Sequence, residues 1–393
     1  MSFFAVLDRQ QRLKKMNSVV KLRHTLHANP ELSGVEVETA RILLDFFSAL
    51  NPDKVVTGLG GHGLAFHFDG EESGATILLR CELDALPIQE RNSFEYQSRV
   101  NGVSHKCGHD GHMAILAAVG EELSRCRPPS GKVILLFQPA EEIGEGARAV
   151  IADSRYLDAA PDYSFALHNL PGFPLGHVLL GEGRFTAASK GMSVALIGST
   201  AHAAQPETGK NPAAAMCELI NQFSMLPPCL IPKGESGFVT VVGSRLGEKS
   251  FGTAPGSADV WVTLRSESNT TMQSMTSYLE LAVDKTAAKH GLGFDISYQE
   301  EFPATLNSGL AVDIIRRAAG AYPVSEIAAP FRWSEDFGRF IEKSCGALFG
   351  LGSGVGVPEL HNHDYDFPDD LIPIGRKIFC RIIEECLALS DTV

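Results

Sequence analysis

A chain of 393 residues exceeds what one hydrophobic core ordinarily supports, so its length predicts two domains. Hydrophobic residues at 44% and charged residues at 21% exclude the disordered and fibrous classes and describe a soluble globular protein. A net charge of −13, with no run of lysine or arginine, argues against a nucleic-acid partner, and no apolar stretch approaches the length of a membrane span.

Along Met1 to Lys15 the apolar Phe3-Phe4-Ala5-Val6-Leu7 precedes the charges, the reverse of a secretory signal. The eight scattered cysteines then read as reduced thiols of a cytoplasmic protein. Helical spacing runs from Asn17 to Asn29 and stops at Pro30, and a second helix is expected over Ser33 to Leu50. Four glycines (Gly58, Gly60, Gly61, Gly63) divide Lys54 to Asp69 into strand, turn and strand. The apolar run Ala75 to Cys81 suits a strand buried on both faces and leads into Glu82-Leu83-Asp84. The block Ser104 to His112 precedes a helix over Met113 to Cys126. Strand 132–137 delivers Glu141-Glu142, and the strand 163–167 delivers His168. Each strand hands over to acids or histidine at its carboxyl end, where open parallel α/β sheets bind their ligands.

Around Gly181 to Gly191 small residues mark a domain crossing. A strand (Met192–Gly198), a helix (Asn211–Leu226, with Asn211 as N-cap and Pro212 in first position), two strands (237–246 and 259–265), a helix (270–290) and a strand (294–298) follow. That βαββαβ order is the split βαβ sandwich. The chain returns with helices near Gly309 to Ala321 and after Ser334-Glu335-Asp336-Phe337, a strand over Ala347 to Leu351, the histidines of Leu360 to Asp364, and a helix from Pro368 to Leu389. The expected fold is α/β, a mixed, largely parallel sheet flanked by helices, with an inserted ferredoxin-like domain. Its boundaries are 1–186 and 298–393 for the catalytic domain and 187–297 for the insertion.

Cys107 and His109, two apart, point to the same side of an extended backbone. Around them stand His105, Asp110 and His112, with Gly108 and Gly111 letting the chain bend around something small. Glu142, His168 and His361 would complete a set richer than one tetrahedral zinc needs, which favours two metals bridged by the Cys107 thiolate. Sulfur, nitrogen and oxygen donors together admit zinc, manganese, cobalt or nickel. Such a site needs a base for the water it polarises, so one glutamate of the 141–142 pair binds metal while the other moves a proton. Chemistry alone leaves open which does which.

The ordered blocks Glu82-Leu83-Asp84-Ala85-Leu86-Pro87, Cys107-Gly108-His109-Asp110-Gly111-His112, Gln138-Pro139-Ala140-Glu141-Glu142, Ala201-His202-Ala203-Ala204, Ser334-Glu335-Asp336-Phe337 and Leu360-His361 resemble the amidohydrolase branch of the metallo-aminoacylase/carboxypeptidase family. Hippurate hydrolases, indole-acetyl-amino-acid hydrolases and N-acetyl-diaminopimelate deacetylases are among its members. The resemblance covers essentially the whole chain. It implies a di-metal exopeptidase-like fold with two divalent ions on Cys107, His109, Glu142, His168 and His361, and Glu141 as general base. It further implies that Asp84 fixes a loop or a ligand, that His202 stabilises the tetrahedral oxyanion, often in the partner subunit, and that Arg265 holds the substrate carboxylate. The implied reaction cleaves an N-acyl amino acid, N-acetyl or N-benzoyl, to a carboxylic acid and a free amino acid. The implied assembly is a homodimer joined through the insertion, which also serves as lid. Alternatives are a dipeptidase or aminoacyl-carboxypeptidase on the same metals, a thiol hydrolase using Cys107, and a catalytically silent metabolite binder. Four positions depart from the branch: Lys106 replaces a small residue, Cys81 an alanine, and Ile143 and Glu145 interrupt a glycine-rich turn. Lys106 and Glu145 are expected to change the charge of the pocket. Matching Leu360-His361 and Tyr365-Asp366-Phe367 selects His361 over His363.

Overall fold

The computed structural model describes residues 9–157 and 160–390, so the first eight residues of the stretch read against a secretory signal lie outside the described residues. The chain divides into two compact units, Met1–Phe185 with Thr305–Ala329 and Asp336–Val393, and Thr186–Ala304 with Pro330–Glu335.

The larger unit begins with helices α1 (Arg9–Ala28) and α2 (Val37–Ser48) and a hairpin of β1 (Lys54–Leu59) and β2 (Gly63–Asp69). Gly60 and Gly61, both at positive φ, supply the turn between those strands without a Cβ penalty. Next come β3 (Glu72–Glu82), α3 (His109–Arg125), β4 (Ser130–Gln138), β5 (Tyr163–Pro171) and the short β6 (Val178–Leu180). Helix α1 starts at Arg9, well before Asn17; Arg9 to Lys15 has a single apolar residue, Leu13, and so carries no apolar period to read.

The second unit holds β7 (Ala188–Ile197), α4 (Ala213–Phe223), β8 (Gly237–Leu246), β9 (Ser257–Ser266), α5 (Asn269–His290) and β10 (Gly293–Phe302). Its four-stranded sheet runs β8-β9-β7-β10 with every neighbour antiparallel. Leu219 and Phe223 of α4 and Met275, Leu279 and Val283 of α5 pack on the inward Val194, Leu196, Val260 and Val262. Ser268 caps α5 by accepting the Thr271 N–H at 3.2 Å, and Gly291 ends it in the left-handed conformation.

The chain then adds α6 (Gly309–Ala319), β11 (Val324–Glu326), β12 (Cys345–Gly354) and α7 (Leu371–Ser390) to the larger unit. Its eight-stranded sheet runs β1-β2-β4-β3-β5-β12-β6-β11. The four central strands, β4, β3, β5 and β12, are parallel, and they read as near-continuous apolar runs because both faces are covered. Phe47 of α2 stacks on Phe66 at 3.9 Å, and Phe137 meets it edge-on. Burying each such side chain contributes roughly 1.5–3 kcal/mol. Strand β3 has β4 on one side and β5 on the other, so the chain changes direction at β3 and opens a crevice at the carboxyl ends of these strands. No helix among the described residues is long and apolar enough to cross a membrane.

Candidate metal centre

The polar residues collect where the topology leaves room for them. Asp84 follows the end of β3, Cys107 lies two residues before His109, the first residue of α3, Glu141 and Glu142 follow β4, His168 lies within β5, and His361 belongs to the segment between β12 and α7. Gly108 sits at φ +92°, and a Cβ there would meet the Asn169 side chain at 2.7 Å, so glycine lets the helix entrance approach β5. Gly111 lies within the helix instead of bending it, and its missing Cβ makes room for Phe367. After β4 the chain turns at Ala140, a non-glycine residue at φ +50°.

Cys107 belongs to two groups of donors, one with His109 and His168 and the other with Glu142 and His361, each with ligand atoms within 4.8 Å of one another. His109, Glu141 and Glu142 form a third such group. The Cys107 Sγ lies 3.4 Å from His168 Nε2. Two ligands at Zn–S ~2.3 Å and Zn–N ~2.05 Å, spread at a tetrahedral angle, stand about 3.5 Å apart. The pair therefore has the separation of two donors on one ion.

Hydrogen bonds also set the tautomers. The Asp84 main-chain oxygen, which can only accept, lies 2.8 Å from His109 Nδ1, and the Asn169 main-chain oxygen lies 2.9 Å from His168 Nδ1. Both rings thus carry their proton on Nδ1 and present the Nε2 lone pair to the cluster, as a metal ligand must. His109 Nε2 is buried without a hydrogen-bond partner, 3.8 Å from Glu142 and 4.0 Å from Glu141. Desolvation, with the nearby His109 ring, lowers the pKa of His361 and favours its neutral, ligating form. Soft and hard donors with matching spacing fit divalent transition ions.

A second layer holds these groups. Asp84, fully buried, accepts the Glu142 N–H at 2.9 Å and the Ser33 hydroxyl at 2.6 Å. Glu36 accepts the Ala140 N–H at 2.8 Å and so fixes the turn from the other side. His112 lies between the Glu82 carboxylate at 2.6 Å and the Asn169 side chain at 2.5 Å, and Asn169 donates to the Tyr365 hydroxyl. Burial pushes the Glu82 carboxyl up, but Arg80 and His112 outweigh it and hold it well below the usual carboxylate range. Arg80 and Gln138 bind Asp336, which also accepts the Ala147 N–H. The sequence assigns no role to Glu36, Glu82 or Asn169. Glu82 opens the block that contains Asp84, and Asn169 directly follows His168, which is the one signal they give.

His363 is exposed and beside Asp364, 3.7 Å away, whereas His361 reaches the Cys107–Glu142 group. Lys106 does not charge the pocket, since its buried ammonium pairs with Glu90. Glu145 is exposed and faces Arg148 at 4.0 Å. In the second unit, exposed His202 accepts the Ala204 N–H on Nδ1 at 3.1 Å, which leaves its proton on Nε2. Arg265 donates to the Arg332 main-chain oxygen at 3.0 Å and to Ser334 Oγ at 3.2 Å.

Fold and site together define a metallohydrolase of the α/β class. The profile of Peptidase family M20/M25/M40 matches residues 78–385, and the chain belongs to that family. It is similar to the hippurate hydrolase of Campylobacter jejuni, at 29% identity over 92% of this chain and 94% of that protein. The N-acetylcysteine deacetylase of Bacillus subtilis is 26% identical over 93% and 95% of the two chains. Among solved structures, the Bacillus subtilis YXEP protein, a dinuclear metal binding peptidase, aligns with a TM-score of 0.79 at 24% identity, covering 97% of this chain and 100% of its own. At that identity the likeness concerns the fold.

Proposed function

We propose that this protein is a two-metal amidohydrolase that cleaves N-acyl amino acids to a carboxylic acid and a free amino acid. The observation that carries the reading is the sharing of Cys107 by two donor groups with Glu141 beside them. The names of the relatives, a hippurate hydrolase and an N-acetylcysteine deacetylase, support the substrate class.

Cys107, His109 and His168 would hold one ion, and Cys107, Glu142 and His361 the other. Bound zinc, manganese, cobalt or nickel would supply Lewis-acid polarisation of the scissile carbonyl and a lowered water pKa. Glu141, almost fully buried, takes the proton of the attacking water and returns it to the leaving amine. Asp84 orients His109 through its main-chain oxygen and holds Glu142 through its carboxylate. His202 offers its Nε2 proton to the tetrahedral oxyanion, and Arg265 takes the substrate carboxylate. The insertion, 187–297, serves as lid and as the contact of a homodimer. We place the protein in the cytoplasm, where its scattered cysteines would stay reduced.

The test is a hydrolysis panel of N-acetyl and N-benzoyl amino acids and dipeptides under each of the four metals. Turnover of N-acyl amino acids that a chelator abolishes is expected. Turnover of dipeptides alone would move the assignment to a dipeptidase, and activity that resists chelators but not alkylation would move it to a thiol hydrolase. Glu141→Gln should keep both ions and lose about 10²–10⁴-fold in kcat, the usual span for a general base. Glu142→Ala should lose metal, and equal metal loss in both variants would reverse or remove the division of roles.

A further inference from the structure

Lys106 directly precedes Cys107, yet its side chain turns away from the metal centre. It is fully buried, and its ammonium reaches the Glu90 carboxylate, the Asn92 side-chain oxygen at 3.1 Å and the Tyr365 main-chain oxygen at 2.8 Å. A buried ammonium is tolerated when each of its three protons finds an acceptor, and here each does. Meanwhile the Lys106 main-chain oxygen accepts the His361 N–H at 2.8 Å. One residue therefore ties both ends of the 361–365 segment to the chain that carries Cys107.

The segment depends on such ties. His361 sits at φ +66°, a conformation L residues disfavour, and neither a helix nor a strand contains it. Other bonds to the segment come from the same neighbourhood: Arg91 N–H to the His363 oxygen at 2.9 Å, and the Asn92 amide to the Asp364 oxygen at 3.0 Å. Glu90 anchors the cluster, because it also binds His27 at 3.0 Å and accepts the Ser98 N–H at 2.5 Å.

We infer that Lys106 is a positioning residue for the second metal ion, holding His361 in place against Cys107 and Glu142 through the Tyr365 carbonyl. The inference rests on the two-metal reading proposed above. The lysine acts on the geometry of one ligand and not on the charge of the pocket.

The test is a cobalt(II) titration, followed by visible absorption and by metal content after dialysis, on the full chain. Lys106→Met removes one of the two cationic groups that Glu90 faces, His27 being the other, so the main variant combines Lys106→Met with Glu90→Gln. The first ion, on Cys107, His109 and His168, should bind with wild-type affinity and an unchanged thiolate-to-cobalt band. The second should bind about 10- to 100-fold more weakly, the usual cost of losing an outer support of a ligand. Glu90→Gln alone keeps the lysine bond to Tyr365, so it should lower the melting temperature and leave the second ion bound as in wild type. Asn92→Ala, at a partly exposed position, guards against a folding failure of the double variant, and a few-fold loss confined to the second ion is expected. Wild-type binding of both ions by the double variant overturns the inference, as does equal loss of the second ion in Glu90→Gln, or no loss in Asn92→Ala where the double variant does not fold. A wild-type protein that takes fewer than two ions overturns instead the two-metal reading beneath it, and the inference with it.

Discussion

Replacing Gly111 by alanine sets two opposed effects against each other at the entrance of α3. An alanine in a helix is favoured over glycine by ~1 kcal/mol on propensity alone. The added Cβ, however, would lie 2.3 Å from the Phe367 ring, whereas carbon atoms attract at about 3.5–4.0 Å and repel strongly well inside that. Phe367 is 1% exposed, so its ring has no open space to enter. Overpacking of this kind costs roughly 1–3 kcal/mol, and an approach this close belongs in the upper part of that range. Repulsion then outweighs propensity, leaving a net loss of about 1–2 kcal/mol. Urea unfolding followed by circular dichroism reads the loss directly. In a Phe367→Leu background the same substitution should cost less, since the smaller side chain gives up the contested space. A Gly111→Ala protein as stable as wild type, or an equal loss in both backgrounds, would refute the packing account and return Gly111 to the role of a hinge.

Asp84→Ala removes the acceptor of two groups, the Glu142 N–H and the Ser33 hydroxyl. It should cost about 1–3 kcal/mol in urea unfolding and roughly 10- to 100-fold in metal affinity. Unchanged metal binding in a destabilised protein would confine Asp84 to the fold. His27 gives a pH prediction: burial pulls its pKa down, but Asp110 and Glu90 overcome that and raise it to about 9. A folded value above the ordinary 6.5 means the stabilisation is complete below 6.5 and is lost as pH rises through about 9. Stability should fall between pH 7 and pH 10, and the fall should flatten in His27→Gln. An identical slope in that variant would assign the pH dependence to other groups.

The fold could be read wherever one residue type repeats along one element. The apolar runs Ile77 to Leu79 and Val133 to Phe137 showed central strands, because strands buried on both faces leave that record. Helix α5, expected over 270–290, runs Asn269–His290 between the Ser268 cap and Gly291. Helix α4 begins at Ala213, with Pro212 in the cap position and the Asn211 side chain accepting the Ala213 N–H at 2.9 Å. The expected cap thus acts from one residue further out. At the site, Glu141 and Glu142 follow β4 and His109 starts α3, as the strand-end pattern expects, whereas His168 lies within β5 and His361 seven residues beyond β12. The supports of these donors were not legible. Glu36 bonds Ala140 across 104 positions, and His112 bonds Asn169 across 57. Ordinary residue types brought together at such separations leave no local pattern. Lys106 was read as a pocket charge for the same reason, since Glu90, its partner, lies 16 residues earlier.

The Glu141–Glu142 pair shows how the two levels combine. Alternation along a strand would send the two side chains to opposite faces, but β4 ends at Gln138, before either of them. Their directions come instead from the turn, where Ala140 at φ +50° is held by Glu36 and the Glu142 N–H by Asp84. Both carboxylates then stand at nearly equal distance from His109 Nε2, 4.0 and 3.8 Å, so that contact does not separate them. What distinguishes them is company: Glu142 joins Cys107 and His361, whereas the donor group that Glu141 shares with His109 contains neither. Glu141 groups instead with His109 and Glu142 and, in a separate group, with Glu335 and Asp336, a placement that supports the proposed proton-transfer role without making it a ligand of the Cys107 groups. In the proposed mechanism the different roles of Glu141 and Glu142 depend on the turn that Glu36 and Asp84 hold, and loosening that turn should weaken the division of labour before it empties the metal centre.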